Sequence, residues 1–251
     1  ARFLQYRYRG EFAEDLDLGV RLIQDGHRVA MLASVKVIHS HNRSSHYYLK
    51  RTFVDIKFLV GVFPDFKLPP CESAEGLVAG AAHVAGWLSR WVSQLLAQGA
   101  GGSVHRAASD WLMALHAAPI IGGPQAPALL SMLQLGDARV EAALRDLLQA
   151  SALLPTEGDE PDRAKRAARS AQYFVDDFAM RFAHFNRYAE PIYQGEDARL
   201  LREWTDAAGK TFAASLGFTL AVLFLDRRDR PEADAERQWL DRVAAQLTAG
   251  V

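Results

Sequence analysis

Cysteine is almost absent: Cys71 is the one thiol in 251 residues. A single thiol excludes an internal disulfide and any cysteine-rich zinc site. It reads as a structural or bystander group and fits a reducing cytoplasm. Excess charge is missing too, with 29 basic against 30 acidic residues and a net charge of -1. Without a basic field or an arm that interleaves basic and aromatic residues, nucleic acid is not an expected partner. Long apolar runs are also lacking, and none reaches the about 18 residues of a spanning helix. The nearest approach, Thr211 to Leu225, is ended by Asp226-Arg227-Arg228-Asp229-Arg230 and reads as a buried core helix. Ala1 to Gly10 carries Arg2, Arg7 and Arg9 around Phe3, Tyr6 and Tyr8, with no apolar segment of the secretory type. It reads as a strand or an extended lead-in. No internal repeat recurs at a fixed period.

What remains is 49% hydrophobic and 24% charged, enough for one large or two smaller globular domains. The most specific stretch runs from Phe12 to Arg51. Leu16, Val20 and Ile23 recur at helical spacing, widened by Leu18 and Leu22. Glu14, Asp15 and Asp17 fall in the first turn, where the positive end of the helix dipole favours negative charge. Gly26 follows the last periodic residue and suits a left-handed C-cap. Arg28 to Leu32 reads as a short strand. Lys36 to His39 reads as a second, with His39 and His41 at its polar end.

Two chemistries fit these residues. Sugar transfer with inversion needs a carboxylate to take a proton from the acceptor hydroxyl. It also needs a metal ion or cationic side chains against the leaving diphosphate. Glu14 and Asp15 offer the first; His39, His41, Lys50 and Arg51 offer the second. The plainer alternatives stay beside them: acids at a helix start serve as caps, and two histidines without a placed carboxylate are a sparse metal set. Asp15-Leu16-Asp17 spells D-x-D, but in a helix residues two apart face different ways, so it is set aside as a metal motif. A self-contained metal hydrolase built on His39, His41 and Asp15 is a third reading.

Ala13 to Leu22 (AEDLDLGVRL), Gly26 to Ala30 (GHRVA), Val37 to Arg43 (VIHSHNR) and Tyr47 to Lys57 (YYLKRTFVDIK) together resemble the C-terminal part of a family 2 glycosyltransferase with the GT-A fold. The similarity is to bacterial enzymes of surface polysaccharide synthesis, and it covers roughly the first quarter of the chain. The resemblance implies Asp15 as catalytic base, with Glu14 as its neighbour or an acceptor-binding group. It implies His39 or His41 against a divalent metal (Mg or Mn) or the diphosphate, and Lys50 or Arg51 near a phosphate. Tyr47 is a candidate to stack on an acceptor sugar, alongside its plainer role as a packing aromatic. Nucleotide sugar and glycan or lipid-linked acceptor are the implied partners. The strands and true D-x-D of a nucleotide-binding half do not precede Glu14. The expectation is therefore a C-terminal piece of a longer enzyme, without bound metal and inactive alone. A cytoplasmic location, peripheral to the inner face of the cytoplasmic membrane, and membrane or homo-oligomer contact through the helical part complete it.

Tyr47 to Val62 is a helix, with Leu49, Phe53, Ile56 and Val60 at helical spacing. Lys50 and Arg51 diverge by about 100° on it, so at most one faces a phosphate. Prolines at 64, 69 and 70 mark a boundary. The expected domains are 1–68, a GT-A-like segment, and 69–251, a helical accessory domain. Beyond the boundary the pattern is helical: Glu75 to Gln98, Val104 to Ala117, Pro127 to Leu133, Ala138 to Leu153, Asp162 to Tyr188, one or two helices over Asp197 to Leu225, and Ala233 to Thr248. Small residues in Glu75 to Gln98 predict close helix approach. The aromatic half of Asp162 to Tyr188 predicts core, and its basic half a solvated face. The fold expected is mainly α, a multi-helix bundle preceded by a small α/β remnant. The bundle shows no nucleophile with an adjacent base, no phosphate-cradling loop and no metal-ligand spacing. The competing function is a non-enzymatic helical interaction or oligomerisation module.

Overall fold

The computed structural model describes residues 6–7, 9, 14–30, 43–63, 65–98, 104–120, 138–153, 160–189, 197–228 and 234–249. Among these the chain forms eight helices and no strand: α1 (Glu14–Gln24), α2 (Ser45–Val62), α3 (Ala74–Gln98), α4 (Val104–Ala117), α5 (Ala138–Leu153), α6 (Glu160–Ala189), α7 (Asp197–Arg228) and α8 (Asp234–Thr248). The mainly α bundle expected from the periodicity is the architecture. The strand expected over 28–32 is not formed at Arg28 to Ala30. A strand needs a paired neighbour for its backbone groups, and no described segment offers one. The second expected strand, Lys36 to His39, and the short helix at 127–133 lie outside the described residues.

Helix α1 starts on its acids and stops as its glycine requires. Gly26 takes φ 78. The Gly26 N–H donates to the Ile23 carbonyl at 3.0 Å and the His27 N–H to that of Leu22 at 2.8 Å, a Schellman close. Yet α1 buries none of its residues. Leu16 is 38% and Ile23 61% exposed while Leu18, Val20 and Leu22 are half-buried, so its apolar stripe is only partly covered.

Helices α2 to α8 share one core. Helix α2 is capped by Ser44, whose side chain accepts the Tyr47 N–H. It lies along α7 so closely that a Cβ on Gly217 would meet the Leu49 carbonyl oxygen at 2.1 Å. Helices α3 and α6 approach in the same way: Gly76 faces the Ala167 carbonyl and Gly80 that of Ala171. The small residues of α3 are thus spent on backbone contact, as their clustering predicts. The expected boundary near residue 68 falls between α2 and α3, and Leu49, Phe53, Val54 and Ile56 pack into the same core as the later helices.

The centre of the core is aromatic. Trp204 of α7 is fully buried, with Phe182 edge-on at 4.1 Å and Trp111 at 5.8 Å between ring centroids. Phe174 and Phe178 of α6 are equally buried. Such ring pairs add about 1 kcal/mol each beyond the area they bury. Segment Asp197 to Arg228 is one continuous helix, with the length and apolarity of a membrane span. However, 72% of its apolar window is buried inside the bundle, so protein already covers that surface.

Polar contacts pin helix to helix where the chain turns after α2. The Oγ of Ser170, fully buried on α6, accepts the N–H groups of Glu72 and Ser73 at 3.0 and 3.1 Å. Arg169 pairs with Glu72 at 2.8 Å and Arg163 with Glu75 at 3.0 Å. Arg227 of α7 donates to the Glu72 carbonyl at 2.6 Å. The basic half of α6 is therefore partly a set of clasps to α3 rather than only a solvated face.

Candidate functional site

The acids at the start of α1 separate into two environments. Asp17 is half-buried and takes the Arg21 guanidinium at 2.8 Å, one turn along the same helix. Glu14 and Asp15 are exposed. Asp15 Oδ1 accepts the Leu16 N–H at 2.9 Å. The divergence of Asp15 and Asp17 follows from the 100° step between helical residues, and it leaves D-x-D without a shared face.

Asp15 lies within Coulombic reach of α2. Asp55 there pairs with Arg51, Nε to Oδ1 at 2.9 Å. Burial raises the Asp55 carboxyl above its usual value; Arg51 opposes this, and the Asp15 charge adds to the rise. A half-buried carboxyl with a raised pKa and a guanidinium are thus paired on α2, within electrostatic range of an exposed carboxylate on α1. Carboxyl groups in unlike environments are the raw material of acid–base chemistry. Asp55 is not among the residues the sequence singled out. Its signal was present as the i,i+4 partner of Arg51, a spacing that reads first as helix stabilisation.

The other expected residues disperse. Lys50 Nζ donates to the Ala249 carbonyl beyond α8. Lys50 and Arg51 therefore diverge, and of the two it is Arg51 whose partner, Asp55, feels the Asp15 charge. Tyr47 sits edge-on to Tyr48, ring centroids 5.9 Å apart, with the Arg43 guanidinium 5.5 Å from its own ring centre. His39 and His41 lie outside the described residues.

No family model, curated protein or solved structure matches this chain.

Among the described residues no group of three or more His, Cys, Asp or Glu side chains is able to hold a metal ion. Glu14 and Asp15 supply two adjacent carboxylates and no third donor from another element. The described donors do not make a metal site, and no step below is routed through one. A polar cleft of about 420 Å³ does adjoin α1, lined by Tyr6, Arg9, Arg21, Gln24 and Asp25. It sits at the opposite end of the helix from Asp15. There the helix dipole is negative and works against an anionic ligand. Tyr6 closes it, its hydroxyl donating to Asp25 at 2.7 Å.

Proposed function

We propose that this chain carries the acceptor-side part of an inverting, family 2-like glycosyltransferase. The enzyme moves a sugar from a nucleotide-sugar donor to a glycan or lipid-linked acceptor in surface polysaccharide synthesis. Asp15 takes the proton of the acceptor hydroxyl as its oxygen attacks the anomeric carbon. The bond from that carbon to the nucleoside diphosphate breaks, and its electron pair leaves with the diphosphate. Glu14 holds the acceptor beside the base, and Arg51 faces the departing charge. In this reading the nucleotide-sugar donor is bound outside the acceptor-side part.

The observation that supports the reading is that the Asp15 charge acts on Asp55, whose partner is Arg51, so a candidate base lies within electrostatic range of a candidate cation on a second helix. The test is Asp15→Asn in the longer transferase, against a panel of nucleotide sugars, with product linkage read by mass spectrometry and NMR. The expected result is a fall in turnover of about 10²- to 10⁴-fold with donor binding intact. Unchanged turnover removes Asp15 from the mechanism.

One observation favours a second reading. Helices α2 to α8 close a core to which α1 contributes no buried residue, so the bundle stands as a unit of its own. As an interaction or oligomerisation module it would hold a defined complex that Asp15→Ala leaves unchanged.

A further inference from the structure

A groove of about 640 Å³ runs between α2, α6 and α7, on the molecule's own surface and apart from the Asp15 cluster. Tyr48, Arg181, Phe185, Glu203, Asp206 and Lys210 line it. Its size falls within the roughly 300–1,000 Å³ of small-ligand sites. Its charges are arranged in opposed pairs. Arg181 is held by Asp177 of its own helix at 2.8 Å, and Lys210 by Asp206 one turn away. The lining carries two cations and two carboxylates, so an anionic polymer or a nucleotide gains no net attraction. A purely apolar ligand would strip water from four charged groups and return nothing to them.

What suits this lining is a ligand that is neutral, carries hydroxyls that both donate and accept, and has apolar faces. Carboxylates at Glu203 and Asp206 accept; Arg181 and Lys210 donate. The Tyr48 and Phe185 rings offer flat apolar surface of the kind a pyranose ring covers with its C–H groups. Ion pairing within each helix fixes Arg181, Asp206 and Lys210 before any ligand arrives, which lowers the entropy lost on binding. We infer that this groove binds a short neutral oligosaccharide. Resting on the transferase reading above, that oligosaccharide is the part of the acceptor already built.

The test uses the whole 251-residue chain. Saturation-transfer NMR and titration calorimetry are run with maltotetraose, cellotetraose, chitotetraose and mannotetraose, and with ATP and a hyaluronan tetrasaccharide as charged probes. At least one neutral tetrasaccharide is expected to bind. Tyr48→Ala should weaken it about tenfold, the loss of one stacked ring. Glu203→Gln should weaken it by a similar factor. Tyr48→Phe keeps the ring and should keep the affinity, which separates a lost contact from a lost fold. Met113→Ala, exposed on α4 and away from the groove, should change nothing. The proposal is overturned if no neutral tetrasaccharide binds, if the charged probes bind better, or if Tyr48→Ala and Glu203→Gln both leave binding untouched. Asp15→Asn distinguishes the two claims: it lowers turnover in the longer transferase and leaves the oligosaccharide affinity of this chain unaltered, so either can fail while the other stands.

Discussion

At Gly217 α7 meets the backbone of α2, and replacing it by alanine tests the packing directly. The new Cβ would lie 2.1 Å from the Leu49 carbonyl oxygen, 3.0 Å from its carbon and 3.2 Å from the Phe53 nitrogen. All three are backbone atoms, so no side chain can swing aside. Moving the oxygen from 2.1 Å to the 3.4 Å of ordinary contact requires the helices to part by 1.3 Å. A gap of about 1 Å already forfeits roughly half of the dispersion energy of the groups facing across it, and this one is wider. Overpacking against fixed backbone costs about 3 kcal/mol. Alanine returns about 1 kcal/mol of helix propensity. The net expectation is a loss of about 2 kcal/mol, or roughly 4–8 °C in Tm for a chain of this size. Gly19→Ala is the control: its Cβ meets nothing within 4 Å, so only the propensity gain remains. Urea melts followed by far-UV circular dichroism and tryptophan fluorescence give both numbers. A Gly217→Ala chain as stable as the parent would show that the two helices do not meet backbone to backbone.

Two further expectations rest on buried titrating groups. His83 on α3 is buried, its Nε2 3.4 Å from the Leu115 carbonyl, and burial lowers its pKa below 6.5, with the Leu115 bond opposing and Arg90 assisting. The unfolded chain therefore takes up this proton at a higher pH than the fold does. Stability is complete above about pH 6.5 and declines as pH falls below it. Melts between pH 7.5 and 5 should show a smaller acid loss in His83→Gln; an identical loss assigns the effect elsewhere. The Cys71 thiol is pushed up to about 12 by burial, with its hydrogen bond to Ser170 opposing. At pH 8 iodoacetamide should modify the native chain about three orders of magnitude more slowly than the urea-unfolded chain, where the thiol titrates near 8.5. Comparable rates would place Cys71 outside the core.

Much of the bundle was legible because the hydrophobic period marks which side chains turn inward. Leu49, Phe53 and Ile56 of α2, and Phe174, Phe178 and Phe182 of α6, are buried as their spacing predicts. Gly26 closes α1 for the reason its position suggests. The period does not say which helix receives a given face. Nothing local in Tyr47 to Val62 points to Gly217 as a residue that packs against its backbone. Nor does periodicity guarantee burial: Leu16 and Ile23 keep the spacing of a core stripe and remain exposed. At the candidate site, the acids of α1 could be chosen by residue type. Asp55 could not, because its environment comes from burial and from Asp15 across a gap of forty residues.

The backbone contact between α2 and α7 joins residues that are far apart in time as well as in sequence. Leu49 and Gly217 are 168 positions apart. At a synthesis rate of about 5–20 residues per second, α2 leaves the ribosome roughly 10–30 s before the surface it packs on. Through that interval Leu49, Phe53 and Ile56 have no permanent partner, and closing so long a loop carries an entropic cost that local helix formation does not repay. The nascent chain must hold this apolar face back from other chains until its last helices arrive. Expression yield should therefore respond to chaperone supply and growth temperature more than the stability of the finished bundle would suggest.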